Sequence, residues 1–463
     1  MNRPTLRALP RTLLLALATA YPLMHALPAA AQSASEELLK ELRELKARVG
    51  ELEKRLIEAE TKAKAAPAAA APAGMTAEQQ QDFNRIAVKT EAMEDNIETW
   101  GIKGLTISGY IEPVFIYNRN QDRAGFQFLN SQSDGYFYDT SFMGAASIDF
   151  TKETESGTRF KLTLTPQRGV GEAIGGGIVQ EATVSIPLSD LQTRLIVGQV
   201  PDWSGYEYQQ PTLNPFTTHN LLYDFTLPFG YTGVGLDVTR GKWWMRGILG
   251  QLNLTTRGAG EKSPMVAYRV DYSRGEFQGF GFAGVHGRVF NFGTGTNTTA
   301  HLFEIDGYFI RGDWTVQGQF SYGQQADAAI NGGDSRWYGV SALAGYSITP
   351  RLQALVRADY LENSKNGGGF FGFSSPDGRN GIGPGVEGFV LDEGGAPLEP
   401  IFGTRGADRY ALTLGLKYLF NQNTTFKAEY RFDGASERVF EDVRSGGFKK
   451  NNHLLGGSVV VFF

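Results

Sequence analysis

From Gly104 to Phe463 apolar side chains recur at every second position, and no other feature constrains this chain as much. Phe160, Leu162 and Leu164 alternate with Arg159, Lys161, Thr163 and Thr165. Tyr410, Leu412, Leu414, Leu416, Tyr418 and Phe420 alternate with Arg409, Thr413, Gly415 and Lys417, and Phe426, Ala428, Tyr430 and Phe432 with Lys427, Glu429, Arg431 and Asp433. A period of two sends successive side chains to opposite faces of an extended strand, so each strand has one apolar and one polar face. Beyond the first segment no apolar run reaches the roughly 18 residues of a membrane-crossing helix. If the chain crosses a membrane it crosses with strands, and these must close into a barrel because lipid offers no partner to a free strand edge.

Turn residues divide the alternating region. Short signals stand at Glu155-Ser156-Gly157, Ser189-Asp190, Arg240-Gly241-Lys242, Arg274-Gly275-Glu276, Arg311-Gly312-Asp313, Thr349-Pro350-Arg351 and Asn421-Gln422-Asn423. Longer segments rich in Gly, Asn and Pro lie near 119–140, 169–177, 201–229, 255–263, 291–300, 325–335, 362–407 and 434–450. About seven short turns alternating with about eight long loops give a transmembrane antiparallel β-barrel of about 16 strands, with both ends on the short-turn side. A soluble sandwich would alternate as well, and aromatic placement separates the two. Tyr410 and Tyr418 share a face eight residues apart. That is about 27 Å of extended chain, or about 20 Å along the membrane normal at a barrel tilt near 40°. The chain stops in Leu455, Val459, Val461 and Phe463 on one face, a final strand of the kind recognised by barrel-assembly machinery.

The region before the strands has a different character. Residues 1–31 carry Arg3, Arg7 and Arg11, then an apolar core at Leu13 to Ala18, then Ala29-Ala30-Ala31, the order of a secretory signal peptide. Its removal takes the formal charge from −5 to −8, since three arginines and no acid are lost. Over 32–64, Ser33 and Glu36 form a capping-box pattern and Leu38, Leu42, Leu45, Val49, Leu52 and Leu56 alternate at spacings of four and three. This is an a/d seam of about three heptads, an N-terminal α-helical coiled coil, with a single amphipathic helix as the alternative. Residues 65–74 (AAPAAAAPAG) form a Pro/Ala linker. A helical segment over 75–103, with Phe83, Ile86, Met93, Ile97 and Trp100 on one side, leads into the barrel domain, 104–463.

Composition excludes several functions. Lys+Arg 44 against Asp+Glu 49 gives no basic face for nucleic acid. The absence of cysteine removes disulfides, thiolate metal sites and thiol nucleophiles. Gly279 to Gly284 fits G-x-G-x-x-G but sits in a strand pattern with no helix to follow, and Arg311-Gly312-Asp313 reads as a hairpin turn. His219, His286, His301 and His453 are scattered with no spacing that suggests a nucleophile and base, so no enzyme is expected. Asp327 and Asp334 offer too few oxygens for calcium, and neither metal nor cofactor is expected.

Export signal, heptads, strand count and terminal Phe463 together resemble Gram-negative outer-membrane porins with an N-terminal coiled coil. The stretch Ile196-Val-Gly-Gln-Val-Pro201 with Gly205, Glu207, Asn214, Tyr223, Pro228, Thr232 and Gly233 is similar to the pattern of the β-barrel porin-2 (OmpL-like) family. The coiled coil is also similar to that of DcaP-like trimeric channels, whose strand motifs are not found here. The resemblance implies a homotrimer in the cell outer membrane with its coiled coil in the periplasm, passing small hydrophilic solutes. It also implies a third loop folded into the lumen. That loop holds Asp202, Glu207 and Asp224 with no Lys or Arg between Arg194 and Arg240, beside Trp203, Tyr206, Tyr208, Phe216 and Tyr223. An acidic, aromatic constriction of Asp202, Trp203, Tyr206, Glu207, Tyr208 and Asp224 would face Arg159, Lys161, Arg194, Lys427 and Arg431, which have inward parity. Other inward charges, Asp271, Glu304, Asp306, Asp359 and Glu429 against Arg269, Arg357 and Lys417, nearly cancel, so strong ion selectivity is not expected. The competing readings are a structural outer-membrane anchor that tethers the envelope, a barrel hydrolase, and a loop whose aromatics only pin it to the wall.

Overall fold

The computed structural model describes residues 103–129, 143–166, 178–228, 230–253, 259–291, 294–363 and 383–463, with Arg85, Ile86, Val88 and Lys89 in addition. The chain divides into two units, Met1–Asn96 and Ile97–Phe463. In the first, the four described residues are helical. The signal peptide, the coiled coil and the Pro/Ala linker expected over 1–74 lie outside the described residues. Among the described residues the only helix with both ends in view is α1 (Leu221–Thr226), six residues and less than one heptad. The expectation of a coiled coil followed by a barrel is therefore corrected to an all-β closed barrel, and the periplasmic coiled coil goes with it.

The second unit contains β1 (Leu105–Ile111), β2 (Val114–Asn118), β3 (Arg123–Gln127), β4 (Ala146–Glu153), β5 (Arg159–Leu164), β6 (Val179–Asp190), β7 (Thr193–Pro201) and β8 (Gly230–Arg240). It continues with β9 (Trp243–Leu252), β10 (Met265–Ser273), β11 (Gln278–Asn291), β12 (Thr296–Arg311), β13 (Trp314–Gln325), β14 (Ser335–Thr349) and β15 (Leu352–Glu362). The last are β16 (Pro384–Leu391), β17 (Pro397–Gly406), β18 (Arg409–Asn421), β19 (Thr424–Ala435), β20 (Phe440–Asp442), β21 (Gly447–Lys449) and β22 (Asn451–Phe462). Eighteen of them form one sheet in which every pairing is antiparallel. β1 and β2 are halves of one wall position, interrupted at Glu112-Pro113, where proline has no N–H to give a ladder. β3 and β4 pair with β2 and β1 respectively, so they share the next position. The wall thus has 16 positions and closes where β22 meets both β1 and β2. Closure leaves no free edge.

All seven short turns lie where the turn residues place them, between β4 and β5, β6 and β7, β8 and β9, β10 and β11, β12 and β13, β14 and β15, and β18 and β19. Two long segments differ. Instead of a loop over 119–140 the chain turns tightly at 119–122, because the Asn118 side chain accepts from the Asn120 and Gln121 amides at 3.1 and 3.2 Å. The loop expected over 291–300 shrinks to 292–295, since β11 and β12 pair as far as Asn291 and Thr296. The last two long loops carry hairpins of their own, β16–β17 and β20–β21.

The period-two pattern resolves into an apolar outside and a polar inside. On β18, Tyr410, Leu412, Leu414 and Leu416 are 40–48% exposed while the alternate residues Arg409, Ala411 and Thr413 are buried. Leaving so much hydrocarbon on a surface is costly in water and free in lipid.

Candidate functional site

The inside of the barrel is occupied by the third long loop, 202–229, which leaves β7 and returns at β8. Its fold begins locally. Asn220 caps α1, its side chain accepting from the Tyr223 amide at 2.8 Å. Wall glycines make room for it, since a Cβ at Gly339 would meet Leu222 and one at Gly415 would meet Phe216. Leu221, Leu222 and Phe225 join Trp337, Leu361 and Ala411 of the wall in one buried apolar cluster.

The polar half of the contact is a set of wall charges aimed at loop backbone. Arg357 on β15 pairs with Glu207 at 2.8 Å and with Asp359 at 3.3 Å, and donates to the Thr218 and His219 carbonyls at 2.8 Å each. Arg431 on β19 donates to the same His219 carbonyl at 2.6 Å. Lys427 donates to the Pro211 and Phe216 carbonyls at 2.8 and 3.1 Å, and Glu429 accepts from the Thr217 amide at 2.8 Å. The second Glu207 oxygen accepts from the Asn220 amide at 2.7 Å. Carbonyls and amides that would otherwise be buried without partners are thereby met by charged groups, the stronger kind of hydrogen bond.

The residues singled out from the sequence fall into three groups. Glu207, Lys427 and Arg431 belong to the loop–wall contact just described. Tyr206 bonds the Ser341 hydroxyl at 2.6 Å, and Asp224 is buried in α1. Asp202 and Trp203 pack toward β8 and β10, and Tyr208 stands toward the remaining space. Asp202 accepts from the Ser204 hydroxyl at 2.9 Å and from the Tyr231 hydroxyl, and burial pushes its carboxyl up to about 6. Trp203 lies 5.0 Å from the Tyr231 ring, with its carbonyl accepting from Arg269 at 2.8 Å, and Tyr208 is half exposed. The third group does not reach the loop. Arg159 pairs with Glu153 at 3.0 Å, Lys161 with Glu181 at 2.7 Å, and Arg194 donates to the Ser185 hydroxyl at 2.6 Å and the Gly157 carbonyl at 2.7 Å. Lys161 keeps 33% of its side chain exposed whereas Arg357 keeps 0%, so the lumen is more open beside Lys161 than beside Arg357, although farther along the same wall Thr163, Thr165 and Gln180 are buried and Gln180 on β6 donates to the Gln209 side chain of the loop.

Arg357, Glu429 and Arg269 were not singled out as loop partners. Inward parity places all three on the polar face, but nothing in a linear pattern says which inward charge meets residue 207 rather than water. Among the described residues no group of three or more His, Asp or Glu is arranged to hold a metal ion.

A protein-family model described as "Protein of unknown function (DUF3138)" matches residues 10–267 and 278–463, nearly the whole chain. The chain belongs to the DUF3138 family. The assignment to the β-barrel porin-2 family, drawn from the segment Ile196 to Gly233, is corrected accordingly. No curated protein matches this DUF3138 chain. Among solved structures, an anion-selective porin from Comamonas acidovorans is similar at 11% identity and TM-score 0.51, covering 78% of this chain and 99% of that one. The outer-membrane channel DcaP of Acinetobacter baumannii is similar at 13% identity and TM-score 0.48, covering 78% and 97%. A loop-deletion form of OmpT, an outer-membrane protein of Vibrio cholerae, is similar at 11% identity and TM-score 0.48, covering 78% and 99%. At this identity the first likeness establishes a shared barrel fold.

Proposed function

We propose that this DUF3138 protein is a non-catalytic, water-filled channel of the outer membrane, through which small hydrophilic solutes diffuse passively past a constriction made by the third loop. The observation that carries this reading is the loop's attachment. Arg357, Lys427 and Arg431 draw it against the β15–β19 side, and the polar wall of β4 to β7 is left partly exposed. Asp202, Trp203 and Tyr208 then form the loop side of the narrow passage, with Lys161, Asp149 and Glu181 opposite. Because Glu207 is compensated by Arg357, and Lys161 by Glu181, selection rests on size and polarity more than on net charge. Assembly as a homotrimer, and recognition of the final strand through Phe463 by the barrel-assembly machinery, complete the proposal.

Purified full-length protein added to a planar bilayer is expected to give discrete conductance steps that scale with bulk electrolyte conductivity. Insertion without steps would remove the channel and leave a barrel that only anchors.

A further inference from the structure

His286 on β11 and His301 on β12 are direct cross-strand partners, and both point away from the lumen. Their outward orientation follows from parity, since Phe280 and Phe282 on one strand and Phe303 and Ile305 on the other share their face and are exposed. The pair lies one row beyond the aligned aromatics Phe303, Tyr322 and Tyr338, on the side away from the short turns. Its own row continues through Gln324 and Arg336 on one side and through the exposed Val266 and Leu249 on the other. The pair thus stands where that row passes from apolar to polar surface.

The Nδ1 atoms of the two imidazoles are 3.1 Å apart. Nε2 of His286 faces the Tyr268 hydroxyl at 3.4 Å, and the His286 ring packs on Phe303 at 4.6 Å, which fixes its orientation. A hydrogen bond from Nε2 to that hydroxyl leaves the Nδ1 lone pair of His286 free to accept, as outer partners do for ligating histidines. Two metal–nitrogen bonds of about 2.05 Å to atoms at this spacing would subtend about 98°, between square-planar and tetrahedral values. A metal ion would take the place of the one proton now shared between the rings. That proton moves to Nε2 of His301, so both imidazoles ligate in the neutral form without net proton release.

The geometry points to a divalent transition-metal site at the barrel rim, formed by Nδ1 of His286 and Nδ1 of His301, with its other positions open to water. Imidazole nitrogen favours copper, nickel and zinc over calcium and magnesium, whose preferred ligands are oxygens. The Irving–Williams order puts copper(II) first. Two protein ligands on a rigid antiparallel pair make a chelate that exchanges readily, unlike a closed structural site. This inference is independent of whether the barrel conducts.

The test uses the full-length protein in detergent, titrated with copper(II), zinc and magnesium chlorides. One copper ion should bind per chain, with a paramagnetic-resonance spectrum showing two equivalent nitrogens, and magnesium should not compete. Either His286→Gln or His301→Gln should weaken binding by about 100-fold, because one ligand cannot chelate. His453→Gln, whose ring bonds Tyr430 at 2.7 Å elsewhere on the wall, should bind as the parent does. Unchanged affinity in both rim variants, or an equal loss in His453→Gln, would overturn the site, as would effective competition by magnesium. If a variant fails to fold, the parent still decides: zinc should protect His286 and His301 from acylation by diethyl pyrocarbonate, and equal modification with and without zinc would sink the inference.

Discussion

Arg357 meets five groups at once, the Glu207 and Asp359 carboxylates, the Thr218 and His219 carbonyls and the Phe216 ring 4.9 Å away, with no side-chain exposure. Removing one partner of a buried ion pair leaves the other charge uncompensated, at a cost of about 3–5 kcal/mol. Arg357→Ala should therefore release the loop while the wall stays closed. Thermolysin cutting near Tyr206, Tyr208 and Phe216, slow in the parent, should become fast, with strand content by circular dichroism unchanged. Protection equal to the parent would mean that Lys427, Glu429 and Arg431, with the apolar contacts of Leu222 and Phe225, hold the loop without Arg357. Asp202 offers a second test at this scale. Its carboxyl is raised from 3.8 to about 6, so it favours the protonated form in the folded loop. That preference is present below the unfolded value and fades as pH rises through about 6. The cation-to-anion permeability ratio should fall as pH drops from about 7 to about 5, where Asp202 gains its proton, and Asp202→Asn should remove that step.

At the scale of elements the lumen has a covered side, β13 to β22, and a less covered side, β4 to β7, which the loop reaches through Gln209 on Gln180 of β6 and where Lys161 stays partly exposed. Acids and bases pair within this less covered wall, where Lys161 sits between Glu181 at 2.7 Å and Asp149 at 4.0 Å. Arg159→Ala with Lys161→Ala should leave Glu153, Glu181 and Asp149 without their cations and shift reversal potentials toward cation preference. Glu207→Gln with Asp224→Asn should shift them toward anions, because Arg357 then lacks its strongest partner. Both shifts should shrink as salt rises, since screening extends only about 8 Å at physiological ionic strength. If both double variants match the parent at low salt, the loop does not border the passage. The strands that frame these sites were legible because alternation and turn residues are local properties. The tight turn at 119–122 was not, since it depends on Asn118 reaching the amides of Asn120 and Gln121 rather than on Gly or Pro.

Across the whole molecule the sixteen positions put the seven short turns read from the sequence at one end of the barrel, and the long loops, together with the tight connections at 119–122 and 292–295, at the other. The proposed orientation places the long loops outside the cell. The chain has no cysteine, so a single one introduced at Asp313, in the turn between β12 and β13, or at Glu393, at the tip of the β16–β17 hairpin, reports its side without background. A membrane-impermeant maleimide on intact cells should label Glu393→Cys and spare Asp313→Cys, and the reverse pattern would invert the barrel.

The sequence by itself determined the class of fold, the number of wall positions, the seven short turns and which face of each strand meets lipid. These follow from side-chain period and turn chemistry, which act over two to five residues. It also marked 201–229 as unusual, an acidic aromatic segment without Lys or Arg. What only the tertiary structure decided is where those acids go. Glu207 meets Arg357 across 150 positions of chain, and the Thr217 amide meets Glu429 across 212. Such pairs depend on the three-dimensional path of the loop inside a closed ring, which alternation along a strand does not encode. The same holds for His286 and His301, 15 positions apart, whose rings meet only because β11 and β12 pair in one register and not its neighbour, since a slip of one residue would turn one ring into the lumen.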